Sequence, residues 1–404
     1  SREFRDVGIT TSISKGLALA SVAMRFVHTN WDNLTPTSVS DEYMTLGGIL
    51  HFDLLDVPPS PKTLKGWTLR PVTELAHTVR RLGYPIVPPG TDPASAPVAP
   101  SPSWKRIKIT WIVPDAVFVR SKSPLLGWWD AQVGIWRTDG IEASTFDPVT
   151  RVLSFETIHA APTALLQPRY IDLPFEHWLL APAEPNKAML SLMGGEMQIV
   201  VEIGEGYCRL TKPLDDCFKE LRNSRLSPYL FMIKLARIGI NMIPTNASVP
   251  RLTGVRVKDR SLEDALHAEL CLLAPSFSLG YSKWNAGRSA KKAVLKIRQA
   301  LDQAAASEAP AASRLDPGSD VEPYLTILYD HRHHDAAVLK ANDDSEHFTE
   351  EKQDGLALHR NVYNCVKEVC LQEAIMVCRA ASDRFTESVR HMLNIVRPFS
   401  FVAE

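Results

Sequence analysis

Long apolar runs, paired cysteines and net charge are all scarce in these 404 residues, and each scarcity narrows what the chain does. No stretch of about 18 consecutive apolar residues exists to span a bilayer as a helix. The six cysteines (Cys208, Cys217, Cys271, Cys365, Cys370, Cys378) are scattered, with no CxxC pair. That spacing argues against a disulfide framework and for free, mostly buried thiols in a reducing compartment. With 45 Lys and Arg against 46 Asp and Glu, the formal charge is -1, which excludes a wholly basic nucleic-acid or membrane-surface binder. The chain opens on Ser1 with no signal-peptide pattern and reads as soluble, intracellular and a fragment of something longer.

Catalytic signatures are missing too. There is no GxSxG nucleophile elbow, no HExxH and no HxxxH. Gly204-Glu205-Gly206 lacks the third glycine or the Lys-Ser/Thr of a phosphate loop, and Gly47-Gly48 sits inside an apolar run, so both read as turns or bulges. The densest set of metal-ligand side chains is Asp330-His331-Arg332-His333-His334-Asp335. A transition metal would use those imidazoles and carboxylates, but a tetrahedral site needs a second ligand pair that no spacing supplies, so the run reads as a solvated hairpin turn. The expectation is a protein that is not an enzyme and holds no cofactor.

What is present is enough apolar sequence for sizeable cores, at 45% hydrophobic and 23% charged. Alternation around residues 9–28 and 43–57 predicts strands in a first β-sandwich-like unit over 1–84. Seven prolines between Pro85 and Ser103 predict a linker over 85–103, since proline donates no ladder hydrogen bond. A second β-sandwich-like unit is predicted over 104–212, with strands at 107–113, 116–119, 134–137, 151–157 and 177–180. It ends in a hairpin of 188–193 with 198–203. Residues 213–302 predict a mixed α/β segment: Ser227-Pro228 starts a helix that Gly239 stops, and Ser261 with Asp264 opens another. Residues 303–319 are Ala/Ser/Pro-rich and read as a second linker, and 320–404 predict a strand pair followed by two helices broken near Ala381-Ser382-Asp383. The fold class is mainly β with an α+β C-terminal part, and no coiled coil is expected.

Near-neutrality conceals opposed halves. Residues 222–300 hold 14 Lys and Arg against 4 Asp and Glu, a local +10, whereas residues 301–404 hold 10 against 18, a local -8. The candidate partner-binding residues are therefore Arg251, Arg256, Lys258, Arg260, Lys283, Arg288, Lys291, Lys292, Lys296 and Arg298, facing an acidic surface. Nucleic acid is the poorer fit, because only Tyr281 and Trp284 offer aromatic stacking nearby and no recognition motif accompanies them. Two alternatives stay open: a ligand-binding sandwich, for example for carbohydrate, using Trp128, Trp129 and Trp136, and a metal-dependent enzyme using the His331–His334 cluster.

Six stretches carry a family resemblance: YMTLGGILHFDLLDVPPSPKTLKGWTLRPV (43–72), GWWDAQVGIWRTDGI (127–141), RVLSFETIHAAPTALLQ (151–167), RIGINMIP (237–244), FSLGYSKWN (277–285) and VRPFSF (396–401). Together the sequence resembles the axonemal dynein intermediate-chain 97 family, also called the cancer susceptibility candidate 1 family. The resemblance implies a non-catalytic accessory subunit of inner-arm dynein in the axoneme of motile cilia or flagella. It also implies partners among intermediate, light or heavy chains and tubulin, and an N-terminal charged, coil-prone region that this sequence lacks. It assigns no site residues.

Overall fold

A computed structural model of the chain describes residues 1–19, 22–57, 61–69, 80–84, 105–245, 251–252, 255–300 and 324–403, which divide into two units, Ser1–Arg169 and Tyr170–Glu404. Both stretches read as linkers, 85–103 and 303–319, lie outside the described residues. The described residues are mainly β, with the helices concentrated toward the C-terminus.

The first unit runs β1 (Arg2–Phe4), β2 (Ile9–Ser12), α1 (Lys15–Leu19), β3 (Val22–Thr29), β4 (Tyr43–Asp56), β5 (Lys62–Leu64), β6 (Trp67–Leu69), β7 (Arg81–Leu82), β8 (Ile107–Ile112), β9 (Leu125–Asp130), β10 (Ile135–Arg137), β11 (Ile141–Asp147), β12 (Val152–Thr157) and β13 (Thr163–Pro168). One antiparallel sheet has the order β1-β2-β8-β12-β11, and the other β10-β9-β13-β4-β3 with β7 beside β4. Period-two alternation sends Ile107, Ile109 and Trp111 of β8 inward, where they join Leu153 and Phe155. Phe26, Leu50, Phe52, Leu54, Leu126 and Leu165 of the other sheet complete the same core, so this unit is a sandwich.

The Gly47-Gly48 pair is a bulge in β4. Both glycines have positive φ, the register with β13 slips there, and a Cβ on Gly48 would sit 1.8 Å from the Thr29 carbonyl oxygen. Glycine is required at this spot because backbone occupies the side-chain space.

One expectation changes here. Residues 1–84 and 104–212 do not stand as separate sandwiches: β8 inserts beside β2, β13 beside β4, and the sandwich ends at Arg169. Alternation identifies a strand and its buried face but not its partner, and hydrogen-bond partners in a sandwich come from far along the chain. Residues 116–119 form no regular strand.

In the second unit, β14 (Phe175–Glu184), β15 (Lys187–Gly194), β16 (Met197–Gly204) and β17 (Tyr207–Lys212) join strands from beyond the helices. After α2 (Lys219–Asn223), α3 (Pro228–Ile238), β18 (Val255–Val257) and α4 (Arg260–Leu273) come β19 (Phe277–Tyr281), β20 (Lys292–Gln299), β21 (Leu325–Asp330) and β22 (Asp335–Leu339). The eight-stranded antiparallel sheet has the order β17-β16-β15-β14-β19-β20-β21-β22. The expected hairpin is present as β15–β16, with Leu190 opposite Val201, but it belongs to this sheet. The expected strand pair, β21–β22, extends the same sheet.

Helices α5 (Val362–Val369), α6 (Gln372–Ala380) and α7 (Asp383–Val396) follow, then β23 (Phe401–Ala403), which pairs with β18. A break at Cys370-Leu371 adds to the expected one at Ala381-Ser382, giving three helices where two were expected. Helix α3 begins at Pro228 and ends at Gly239 as its sequence predicts. Helix α4 is capped by Asp259, whose side chain accepts from the Ser261 N–H, in place of the expected Ser261 cap. The helices pack on the sheet, with α7 against β16, α5 against β22 and α3 against β17. Trp178 of β14 meets Phe399 edge-on at 5.0 Å.

Beside Phe399, His267 of α4 is fully buried, its Nδ1 lying 2.8 Å from the side-chain oxygen of Asn394. Burial pushes this imidazole down to about 4. A histidine whose folded pKa lies below its unfolded value of about 6.5 keeps its full contribution above pH 6.5. That contribution is lost as pH falls toward 4, because the unfolded chain takes up a proton that the fold refuses. The expected loss from this group is about 3 kcal/mol between pH 7 and pH 4. Urea midpoints measured across pH check it: His267→Gln flattens that part of the profile, and an equally steep profile in the variant contradicts the assignment.

Candidate functional site

Six of the ten candidate basic residues lie on β20 of the second unit or in the loop that leads into it. Period two places Lys292, Lys296 and Arg298 on one face of that strand, with Ala293, Leu295 and Ile297 turned to the opposite, buried face. Lys283 and Arg288 sit in the loop that leads into it, where Ser282 caps a short turn by accepting from the Trp284 N–H.

Much of this charge is spent inside the chain. Lys292 Nζ is 2.9 Å from Glu350 and 3.7 Å from Asp330. Lys296 Nζ is 3.2 Å from Asp343, and Arg288 is 3.7 Å from Glu350 while its guanidinium lies 4.0 Å from the centre of the Phe348 ring. Arg260 pairs with Glu263 at 3.4 Å and Asp264 at 3.1 Å on its own helix. Such partly exposed pairs contribute about 0.2–1 kcal/mol each, enough to orient side chains but weak enough to exchange.

Lys258 departs furthest from its expected role. It is 3% exposed, and its ammonium donates to the carbonyls of Arg288, Ser289 and Lys292 at 3.4, 3.1 and 2.8 Å. It ties the loop before β20 to the segment after β18 and presents nothing to solvent. The side chain of Arg256 lies outside the described residues.

Four candidates keep an outward role. Arg251 and Lys291 are exposed. Lys283 is exposed, donates to the Ser345 carbonyl and lies 4.5 Å over the Trp284 ring. Arg298 lies 4.5 Å over the Tyr324 ring, at the rim of a 290 Å³ cavity that Phe277, Val366 and Val369 help to line.

A buried network beneath the patch has no clear sequence signal. Glu263, fully buried in α4, receives Arg397 Nε at 2.9 Å and Ser400 Oγ at 2.6 Å. The partners are separated by 134 and 137 residues, and nothing in local spacing links a Glu in one helix to an Arg just past another.

The alternative sites find little support. Trp129 and Trp136 are buried and meet at 5.3 Å, and Trp136 Nε1 donates to Thr35 Oγ1. Trp128 is stacked by His159 at 4.0 Å and approached by the Arg137 guanidinium at 5.4 Å. The three indoles form no open platform on which a sugar would stack. The Asp330–Asp335 run is the β21–β22 turn, in which Asp330 accepts from the Arg332 N–H and contacts His333. Among the described residues no group of three or more His, Cys, Asp or Glu is arranged to hold a metal. Burial pushes the thiol of Cys271 up to about 11 and those of Cys365 and Cys378 to about 12, so these cysteines are core fillers.

No protein-family model matches the chain. It is 29% identical over 363 residues to the protein named Dynein axonemal intermediate chain 7 from Bos taurus and to that from Homo sapiens, a match covering 89% of this chain and 47% of each relative. The homolog from Ciona intestinalis is 27% identical over 280 residues, 64% of this chain and 37% of the relative. The chain thus spans about half the length, or less, of these curated relatives. These similarities support a relationship to the axonemal dynein intermediate chains.

Proposed function

We propose that this chain is part of a non-catalytic accessory subunit of an axonemal dynein complex in cilia or flagella, of the intermediate-chain 97 type and serving the inner arm. In this reading it contributes to arm assembly or to attachment on microtubules, and its neighbours are other dynein subunits and tubulin. The observation that carries the proposal is similarity to proteins named Dynein axonemal intermediate chain 7 along 89% of the chain. The basic residues left exposed or at a cavity rim support it, since the charges of Arg251, Lys283, Lys291 and Arg298 suit an acidic neighbour.

The test uses the charges that the structure leaves outside the patch's internal ion pairs. Arg251→Glu, Lys291→Glu and Arg298→Glu together weaken microtubule co-sedimentation about tenfold at low salt, because three charges at about 0.5 kcal/mol each sum to about 1.5 kcal/mol, close to the ~1.4 kcal/mol of a tenfold change. The difference shrinks as ionic strength rises. Co-sedimentation equal to that of the unsubstituted chain at every salt concentration counts against microtubule attachment through this face.

A further inference from the structure

The basic strand already holds an acidic segment, and that segment belongs to the same chain. Asp343 receives Ser282 Oγ at 2.7 Å and Lys296 Nζ at 3.2 Å. Five residues on, the Phe348 ring lies 4.0 Å from the Arg288 guanidinium and 5.5 Å from the Trp284 ring. Glu350 closes the contact on Lys292 at 2.9 Å. Residues 342–350 form no helix or strand, and side chains rather than a backbone ladder hold them against β20.

We infer that Ser282, Trp284, Arg288, Lys292 and Lys296 form a docking site for an extended acidic peptide of a partner protein, one that carries an aromatic side chain between carboxylates. Residues 342–350 fill that site in cis until the partner displaces them. The cis segment itself displays the chemistry the site accepts: a carboxylate for Lys296 and Ser282, an aromatic face for Arg288, and a carboxylate for Lys292. Because its ion pairs are partly exposed, a partner with more acidic groups outcompetes it. The inference rests on β20 being the partner-facing surface.

A fluorescein-labelled peptide with the sequence of residues 341–352 is the probe, titrated by anisotropy into the whole chain and into the D343N/E350Q variant at low salt. Removing the two cis carboxylates strengthens peptide binding at least tenfold, and a peptide with alanine in place of Phe348 binds more weakly to both. Equal binding to the two proteins, or binding to neither, overturns the inference. Should the variant fail to fold, hydrogen exchange on the unsubstituted chain decides: saturating peptide speeds exchange at residues 342–350, and bound peptide without that change overturns it. Microtubule binding is read separately, so an intact co-sedimentation result with a failed titration removes the cis occupant and leaves the dynein reading standing.

Discussion

Arg397→Ala lowers the stability of the second unit by about 3–5 kcal/mol, the cost of leaving one charge of a buried pair without its partner. Glu263 is fully buried and Arg397 is 9% exposed, so no solvent replaces the lost guanidinium. Two contacts, Nε to Oε2 at 2.9 Å and a second nitrogen to Oε1 at 3.3 Å, give the pair the bidentate geometry that favours arginine over lysine. Ser400 Oγ, at 2.6 Å, and the half-exposed Arg260, at 3.4 Å, remain as weaker partners of Glu263, which places the expected cost at the lower end of that range. The pair joins the first turn of α4 to the residue after α7, so its loss loosens the whole helical layer. Urea unfolding followed by helical circular dichroism reads this unit, because only the five-residue α1 lies outside it among the described α-helices. Replacing both members, Glu263→Met with Arg397→Met, recovers much of the loss, since two apolar side chains bury no charge. A single-variant cost below 1 kcal/mol contradicts the buried-pair description.

Lys258→Met costs about 2–4 kcal/mol, although on sequence alone Lys258 belongs with the surface charges. The half-buried carbonyls of Arg288 and Lys292 lose the ammonium, whereas that of Ser289 keeps the Lys292 N–H at 3.1 Å; an acceptor shut off from water without its donor costs about 1–3 kcal/mol, offset in part because a methionine need not be desolvated. Lys291→Met, at an exposed position just before β20, changes stability by less than about 0.5 kcal/mol. Comparing the two urea midpoints separates a structural lysine from a surface one. Similar small effects would return Lys258 to the candidate surface.

Local signals read well wherever one short stretch decides the outcome. The alternation of 107–112 identifies β8, and Ser227-Pro228 with Gly239 brackets α3, because alternation and capping depend on neighbours within a few residues. The adjacent glycines at 47–48 mark a backbone irregularity for the same reason. Assignment of strands to sheets fails: β14–β17 look like the end of a sandwich, yet β14 pairs with β19 across the helices between them. Side-chain alternation is the same whichever strand lies alongside.

The charge division shows the same limit at the candidate site. The sequence by itself determined that a +10 segment precedes a -8 segment, that the chain is rich in β-strands ending in helices, and that no familiar reaction motif is present. Tertiary structure alone decided that Asp330, Asp343 and Glu350 come back onto Lys292, Lys296 and Arg288, that Lys258 faces inward, and that Glu263 meets Arg397. The physical reason is range. Propensity and alternation act over a few residues, whereas an ion pair forms only after the sheet has brought distant residues within about 4 Å.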